Sequence, residues 1–597
     1  MDTPRLARIL LCSTLLLAAC GKSQPQSQPS APPAPARETP TGVDPTGDLD
    51  PIADPRAVAG GSLTSWGGPF PKSLNVWLDN HTISEQISML QFESLVELHS
   101  TKNEPVGVLA DSWSISEDKM IFTFHIDPRA KWSDGRPVTA ADCQFYYDVI
   151  MNPKNLTSLW RVGLKRFDRP EVVDDHTLRL RANEVHWKNF WEAAGLFALP
   201  KHVWGNLDFN KQNFEFPVVS GPYEVAELKK DRSLTLKRRA DWWGREKRYN
   251  QYKYNLESLK FRFMEDRNKV LESFKKGDLD LYAIHTASIW AEKTDFDQVK
   301  KGWVVRQRVF NKEPMGYQGF AINLRRPLFQ DKRVREALCY LLNRDLMNEK
   351  LMHRQYFLLN SYHPDLYLNN VNPDQPARAY DPEKARALLA NAGWKVGAAG
   401  TLAKDGRKFE VVIPTESTDL RHYNVYIEDL QRVGILAGID QISESTLTKR
   451  IDHHEFDLYW QAWGATRLRD PEAMWHSSTA NEIATQNHPG VADKRVDELI
   501  EAQKTEMNLD RRNEILRQLD RHLNEIIPYV LMWWPDHHRL LYWNKFGTPT
   551  HVLDKFTDHR AAASYWWLDP SKEKALQEAM KSNQPLDALS GDVHYKE

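Results

Sequence analysis

Tyr317-Gln-Gly-Phe-Ala-Ile-Asn323, continued by Leu-Arg-Arg-Pro327-Leu-Phe329-Gln-Asp331 and then Lys-Arg-Val-Arg-Glu-Ala-Leu338, is the stretch whose reading decides the fold. Its first third is aromatic and aliphatic with no helix cap, which predicts a strand. Pro327 blocks a regular ladder, and Asp331 is a suitable N-cap for a helix beginning at the next residue. From there Val334, Ala337, Leu338, Leu341 and Leu342 recur at helical spacing, with Arg333, Arg335 and Arg344 between them. The chain is expected to leave a sheet, cross a short polar connection and enter an amphipathic helix.

Outward from this stretch, 597 residues are too many for one core, so two or three folded units are expected. Hydrophobic residues at 41% and aromatic residues at 11% supply globular cores. A net charge of -2 lacks the basic excess of a nucleic-acid surface, and the composition is not that of an acidic disordered chain. At the N-terminus, Arg5 and Arg8 precede an apolar run from Ile9 to Ala19, too short to span a bilayer and fitting a signal peptide. Residues 21–60 are rich in Pro, Ser, Gln and Ala and read as a disordered tether, able to reach on the order of 100 Å in extended polyproline geometry. Cys143 and Cys339 fall within amphipathic patterns; burial as free thiols is the ordinary outcome, and a disulfide between them is the alternative.

Along the folded part, Ser112-Trp-Ser-Ile-Ser and Ile121-Phe-Thr-Phe-His-Ile126 alternate as strands joined by the polar turn 117–119. Lys131-Trp-Ser-Asp-Gly135 is a turn cluster, and Thr139-Ala-Ala-Asp142 opens a helix. Ser220-Gly-Pro-Tyr223 precedes a hairpin closed by Trp242-Trp-Gly244, and Lys275-Lys-Gly-Asp-Leu-Asp280 turns into a strand. Beyond the opening stretch, Asp381-Pro-Glu383 starts a helix that stops at Gly393, and strands continue to alternate with helices, as in an α/β sheet.

In this order, these features resemble the family-5 extracellular solute-binding proteins, the peptide-capturing components of ABC importers, over residues 60 to 570. Within the family the 317–345 stretch is most similar to the subgroup that takes microcin-like or cell-wall (murein) peptides. The resemblance implies an α/β periplasmic-binding-protein type II (cluster C) fold with two lobes and three domains. It assigns 61–95, 206–322 and 541–575 to a discontinuous domain I, 96–205 to domain II, 323–540 to domain III and 576–597 to a tail. It also implies hinges near Asn323 and near the return crossing around residue 540. Leu17-Ala-Ala-Cys20-Gly21 resembles a bacterial lipobox that closes the lipoprotein signal segment of residues 1–20, with Cys20 as the lipidated first mature residue. The implied location is the periplasm, with membrane contact by lipid anchor only.

No catalytic motif is present: G-x-S-x-G, H-E-x-x-H, G-x-x-x-x-G-K-[ST] and G-x-G-x-x-G are all missing, and no enzyme activity and no cofactor are expected. The pairs His453-His454 and His537-His538 are adjacent, so their side chains point apart and do not chelate together; no metal is expected. The better candidate is Trp460-Gln-Ala-Trp463-Gly-Ala-Thr-Arg467-Leu-Arg469-Asp470-Pro471, where a strand delivers two aromatics and a loop adds two guanidinium groups and a carboxylate. In relatives that bind peptides, a Trp matching Trp463 is followed closely by an Asp that holds the ligand ammonium. Here Ala465 and Thr466 stand at that place and Asp470 is displaced. Arg467 and Arg469 are expected either to grip a ligand carboxylate or to pair with Asp470 and neighbouring acids. Trp66, Trp160, Tyr317 and Phe320 are further lining candidates, with the structural core as the alternative for each, and Asn323 is a further candidate for contact with the ligand.

The expected function is capture of oligopeptides, recognised through their backbone, by a monomer that hands them to ABC permease and ATPase subunits in the inner membrane, with no nucleic-acid partner. Other classes remain open: the same fold binding a sugar, nickel chelate or haem, or a lipoprotein acting as receptor or chaperone.

Overall fold

The computed structural model describes residues 38–43 and 48–596, apart from 217, 376–377, 398–399, 588 and 590. The signal peptide, Cys20 and most of the expected tether lie outside the described residues. Among the described residues, an eight-stranded mixed sheet runs in the order Gly591–His594, Val304–Phe310, His538–Trp543, Leu281–Ala283, Ser62–Trp66, Ser258–Arg262, Ser233–Arg238 and Tyr223–Lys229. Ser62–Trp66 lies parallel to both of its neighbours, whereas His538–Trp543 is antiparallel to both of its own.

A five-stranded sheet, in the order Glu38–Val43, Ala110–Ser116, Ile121–Ile126, Thr177–Arg181 and Glu171–Asp174, carries the predicted hairpin at its centre. The helix Ala140–Met151 comes next in the chain, opened by a reciprocal Thr139/Asp142 capping box. Leu63, Leu234 and Leu259 of the large sheet and Phe122, Phe124 and Leu178 of the smaller one share one continuous buried cluster. The two sheets therefore form one packed body rather than two that move apart.

The tether is shorter than expected. Residues 38–43 pair antiparallel with Ala110–Ser116. Ile52 is buried, and Asp50 is 1% exposed and ion-paired with Lys253 at 3.1 Å. Pro-rich composition favours an extended chain, but one well-placed acid and one aliphatic residue suffice to fasten such a chain to a folded surface.

The stretch from Tyr317 keeps its predicted elements and changes its place. Tyr317–Ile322 is a strand, and the Asp331 side chain accepts the Arg333 amide at 2.9 Å to start Lys332–Tyr340. The strand is not the crossing. It is the middle member of a three-stranded sheet between Leu458–Trp463 and Tyr529–Leu531. Gly319 is needed there, since a Cβ would lie 2.3 Å from the Val530 carbonyl oxygen. Val304–Phe310 and His538–Trp543 belong to the large sheet, so the chain passes between bodies over 311–316 and returns over 535–537. Asn323 is likewise no hinge: buried to 1%, it donates to the carbonyls of His454 and Phe456, both at 2.9 Å. It pins two segments of the same body.

Residues 317–534 bury two clusters of their own, one on each face of the three-stranded sheet, and neither includes a residue from outside that span. We call this body the second lobe and the rest the first lobe. Cys143 lies in the core of the first and Cys339 in that of the second, both as free thiols.

Candidate ligand-binding cleft

A cavity of roughly 810 Å³ lies between the lobes, within the size range of small-ligand sites. The first lobe lines it with Ala283, Ile284 and His285 at the end of one strand and with His538 and Arg539 at the start of another. Glu313 joins them from the first crossing, and Asp558 and His559 from the chain beyond the return strand. The second lobe contributes Gln318, Phe320, Trp460, Ala462, Tyr356, Glu416, His422 and Trp533.

Strand periodicity explains the second-lobe wall. Phe320 is paired with Trp460, and Gln318 with Ala462, so four alternate residues of two neighbouring strands share one face. Trp460 is 38% exposed, whereas Phe320 forms the floor, 1% exposed and stacked 5.0 Å from Tyr426. Tyr317 and Trp463 occupy the opposite face. Tyr317 is buried against Trp475, and the Trp463 indole donates to the Tyr529 hydroxyl at 3.0 Å. Of the two tryptophans in the candidate loop, Trp460 faces the cleft and Trp463 faces core.

The loop beyond Trp463 reaches the first lobe instead of the cavity. Arg467 donates to the His99 carbonyl at 2.9 Å, to Asn103 Oδ1 at 3.1 Å and to the Lys102 carbonyl, and its guanidinium lies 4.0 Å from the Phe556 ring centroid. Burial lowers its pKa to about 10. Arg469 is ion-paired with Asp365. Asp470 faces Arg166 at 3.6 Å, Lys188 at 3.8 Å and His186 at 4.0 Å, all on the first lobe. Neither arginine pairs with Asp470, and Asp470 is engaged by protein cations. His186, Asp470 and Glu472 come close enough together to resemble a metal site, but Arg166 and Lys504 also lie on Glu472, at 3.5 and 3.1 Å. That arrangement is an ion-pair network.

Two more candidates pack within the first lobe. The Trp66 indole donates to the Met264 carbonyl at 2.8 Å and lies edge-on to Tyr282, and Trp160 packs against the large core. Sequence reasoning missed Arg539, Glu313, His285, Glu416 and Tyr356. They come from five separated segments with no shared motif, and only the fold assembles them.

The charge of the cleft is set by burial. His285 is lowered to about 3 and His538 to about 4, chiefly by desolvation. Glu313 is pushed up to about 8 by burial, with Asp558 adding repulsion. Burial would raise Asp558 too, but His559, Arg560 and hydrogen bonds from Arg560 hold it well below the carboxylate range. A raised Glu313 binds its proton more tightly in the folded state, so its contribution to stability falls as pH rises from its ordinary 4.5 to about 8 and is level above that. Glu313→Gln is therefore expected to flatten the melting temperature against pH over this window relative to wild type. Equal slopes in the two proteins would exclude Glu313 as the titrating group.

The model of the family described as "Bacterial extracellular solute-binding proteins, family 5 Middle" matches residues 104–485, more than half of the chain. The Escherichia coli K12 protein YejA is 25% identical over 528 residues, 82% of this chain and 86% of that one. The peptidoglycan-binding protein YepA of Agrobacterium fabrum is 25% identical over 482 residues, 73% of this chain and 78% of its own. Among solved structures, the oligopeptide-binding protein AppA of Bacillus subtilis, in complex with a nonapeptide, superposes with a TM-score of 0.68. It is 21% identical, the match covers 86% of this chain and 100% of that one, and the likeness is one of fold, that of a type II periplasmic binding protein. With the two-lobed α/β architecture and the cleft between the lobes, these matches show that the chain belongs to the bacterial extracellular solute-binding proteins of family 5.

Proposed function

We propose that the protein captures short peptides in the cleft between its lobes and delivers them to an ABC permease. The observation that carries this reading is that Leu458–Trp463 is, among the described residues, an edge strand paired on one side only, whose Trp460 and Ala462 line the cavity. An edge strand offers unpaired backbone groups to an extended peptide, which gives affinity with little side-chain preference. Trp460, Trp533 and Tyr356 add apolar wall for alternate side chains. A structural neighbour holding a nonapeptide supports the same class of ligand. Closure over the ligand is then a population shift, driven by contacts made in the closed state alone. Acylation of Cys20 would hold the protein at a membrane facing the periplasm, and Cys20→Ala would release it from membrane fractions.

Native mass spectrometry of the purified protein, followed by melting in peptide pools, tests the reading. A specific peptide at 100 times its dissociation constant is expected to add about 2.7 kcal/mol of stability. Stabilisation by a sugar or a metal chelate, with none by any peptide, would overturn it.

A further inference from the structure

We propose that Arg539 is the carboxylate-binding residue of the cleft, so that the captured solute presents a free carboxylate to the sheet of the first lobe. The inference rests on the cleft being the ligand site and narrows the chemistry that the site accepts.

Arg539 stands at the start of His538–Trp543, an interior strand of the large sheet, and is 4% exposed. Its Nη1 donates to the His285 carbonyl at 3.1 Å and to the Tyr356 hydroxyl at 3.4 Å. Its Nε and Nη2 are buried and have no partner among the described residues. These two nitrogens form the edge of the guanidinium that holds a carboxylate side-on with two parallel hydrogen bonds. The same chain uses that edge elsewhere: Arg129 donates from Nε and Nη2 to the two oxygens of Asp127 at 3.0 and 2.7 Å. At Arg539 the fork is present and the acid is not.

Three of the cavity acids have neighbours of their own. Asp558 is held by Arg560 at 2.9 Å, Asp536 by His537 at 2.8 Å, and Glu313 lies 3.2 Å from His538. Of the other cavity arginines, Arg421 is paired with Asp419 at 2.6 Å and Arg267 donates to the Thr286 hydroxyl at 3.1 Å. Crowding by surrounding protein lowers His285, although its surface is open to solvent, and burial lowers His538, so neither ring competes as a cation. Arg539 is thus a buried cation with two unsatisfied donors beside a cavity, a state that is costly until an anion fills it. A peptide supplies such a group at its C-terminus, and the Tyr356 contact brings the second lobe onto the same guanidinium.

The test measures binding by calorimetry for wild type, Arg539→Gln and Arg539→Lys. The probes are a library of tri- to pentapeptides with free C-termini, the same library C-terminally amidated, and succinate. Melting without ligand confirms that each variant is folded. Arg539→Lys, which keeps the charge and loses the fork, supplies the comparison if Arg539→Gln does not fold. The free acids are expected to bind wild type at least about tenfold more tightly than the amides. Both variants should lose that preference, Arg539→Lys less completely. Equal binding of acids and amides by wild type, or unchanged preference in a folded variant, would overturn the role of Arg539 and leave peptide capture standing. Binding of succinate but of no peptide, lost in the variants, would support Arg539 and overturn peptide capture. Binding of none of the three probes would overturn both.

Discussion

Asp50→Ala is expected to lower the stability of the first lobe by about 3–5 kcal/mol, because it strips the partner from a buried ammonium. The Asp50 and Lys253 side chains are 0% and 5% exposed and lie 3.1 Å apart. Asp50 also accepts from the Ser100 hydroxyl at 2.6 Å, the Tyr565 hydroxyl at 2.8 Å and the Ile52 amide at 3.0 Å. One carboxylate therefore ties the start of the folded chain to residues 100, 253 and 565. Lys253 is left among the rings of Tyr249, Tyr254 and Tyr565, with Glu97 as the remaining carboxylate that acts on it but no direct ion pair among the described residues. Burial alone would raise the Asp50 pKa, but Lys253 and these hydrogen bonds leave it below the ordinary carboxylate value. A depressed acid contributes stability that is present above its unfolded pKa and lost as pH falls through its folded one. Urea unfolding at pH 7 should show the loss in the variant, and the gap between the two proteins should narrow on acidification. A variant as stable as wild type at pH 7 would return residues 48–60 to the tether.

The second large effect is expected at Trp187. This residue belongs to the first lobe, yet its partners lie on the second. Its amide donates to the Lys504 carbonyl at 3.0 Å, its indole to Gln503 Oε1 at 3.0 Å, and the Arg512 guanidinium covers the ring at 4.2 Å. The ring is 5% exposed, and the network around Asp470 lies beside it. Truncating a buried tryptophan to alanine costs about 3–5 kcal/mol. Here that cost falls on lobe contact rather than on either core, so Trp187→Ala should shift the closed-to-open ratio by about a hundredfold to a few thousandfold. Small-angle scattering of the ligand-free protein should show a larger radius of gyration, and ligand affinity should weaken, with the midpoint for unfolding of the second lobe unchanged. An unaltered radius would show that closure does not depend on this contact.

Local chemistry was legible in the sequence, and long-range placement was not. The caps at Asp331 and Asp381 and the Thr139/Asp142 box were readable because each is decided within four residues. The strand at 317 was readable too, but its membership of the second lobe depends on partners more than 130 residues away. Parity alone could have separated Trp460 from Trp463, since residues three apart on one strand face opposite ways. Nothing local marks Asp470 as a contact to the other lobe or Arg539 as an orphaned donor. The family resemblance placed a hinge near Asn323; its buried amide shows that a strand end can be a clasp within one body. Composition misled at Asp50, where a Pro-rich segment is fastened by a buried ion pair, the hydrogen bonds around it and the burial of Ile52.

The two crossings, 311–316 and 535–537, also carry Glu313, Asp536 and His537 into the cavity wall. On the proposed closure of the lobes, the segments that bend also belong to the wall of the cavity. A solute touching them would then be expected to alter the stiffness of the joint as well as the depth of its own well, linking grip to tempo. Substitutions chosen to widen the range of cargo at these positions will change how quickly the protein lets go along with how tightly it holds.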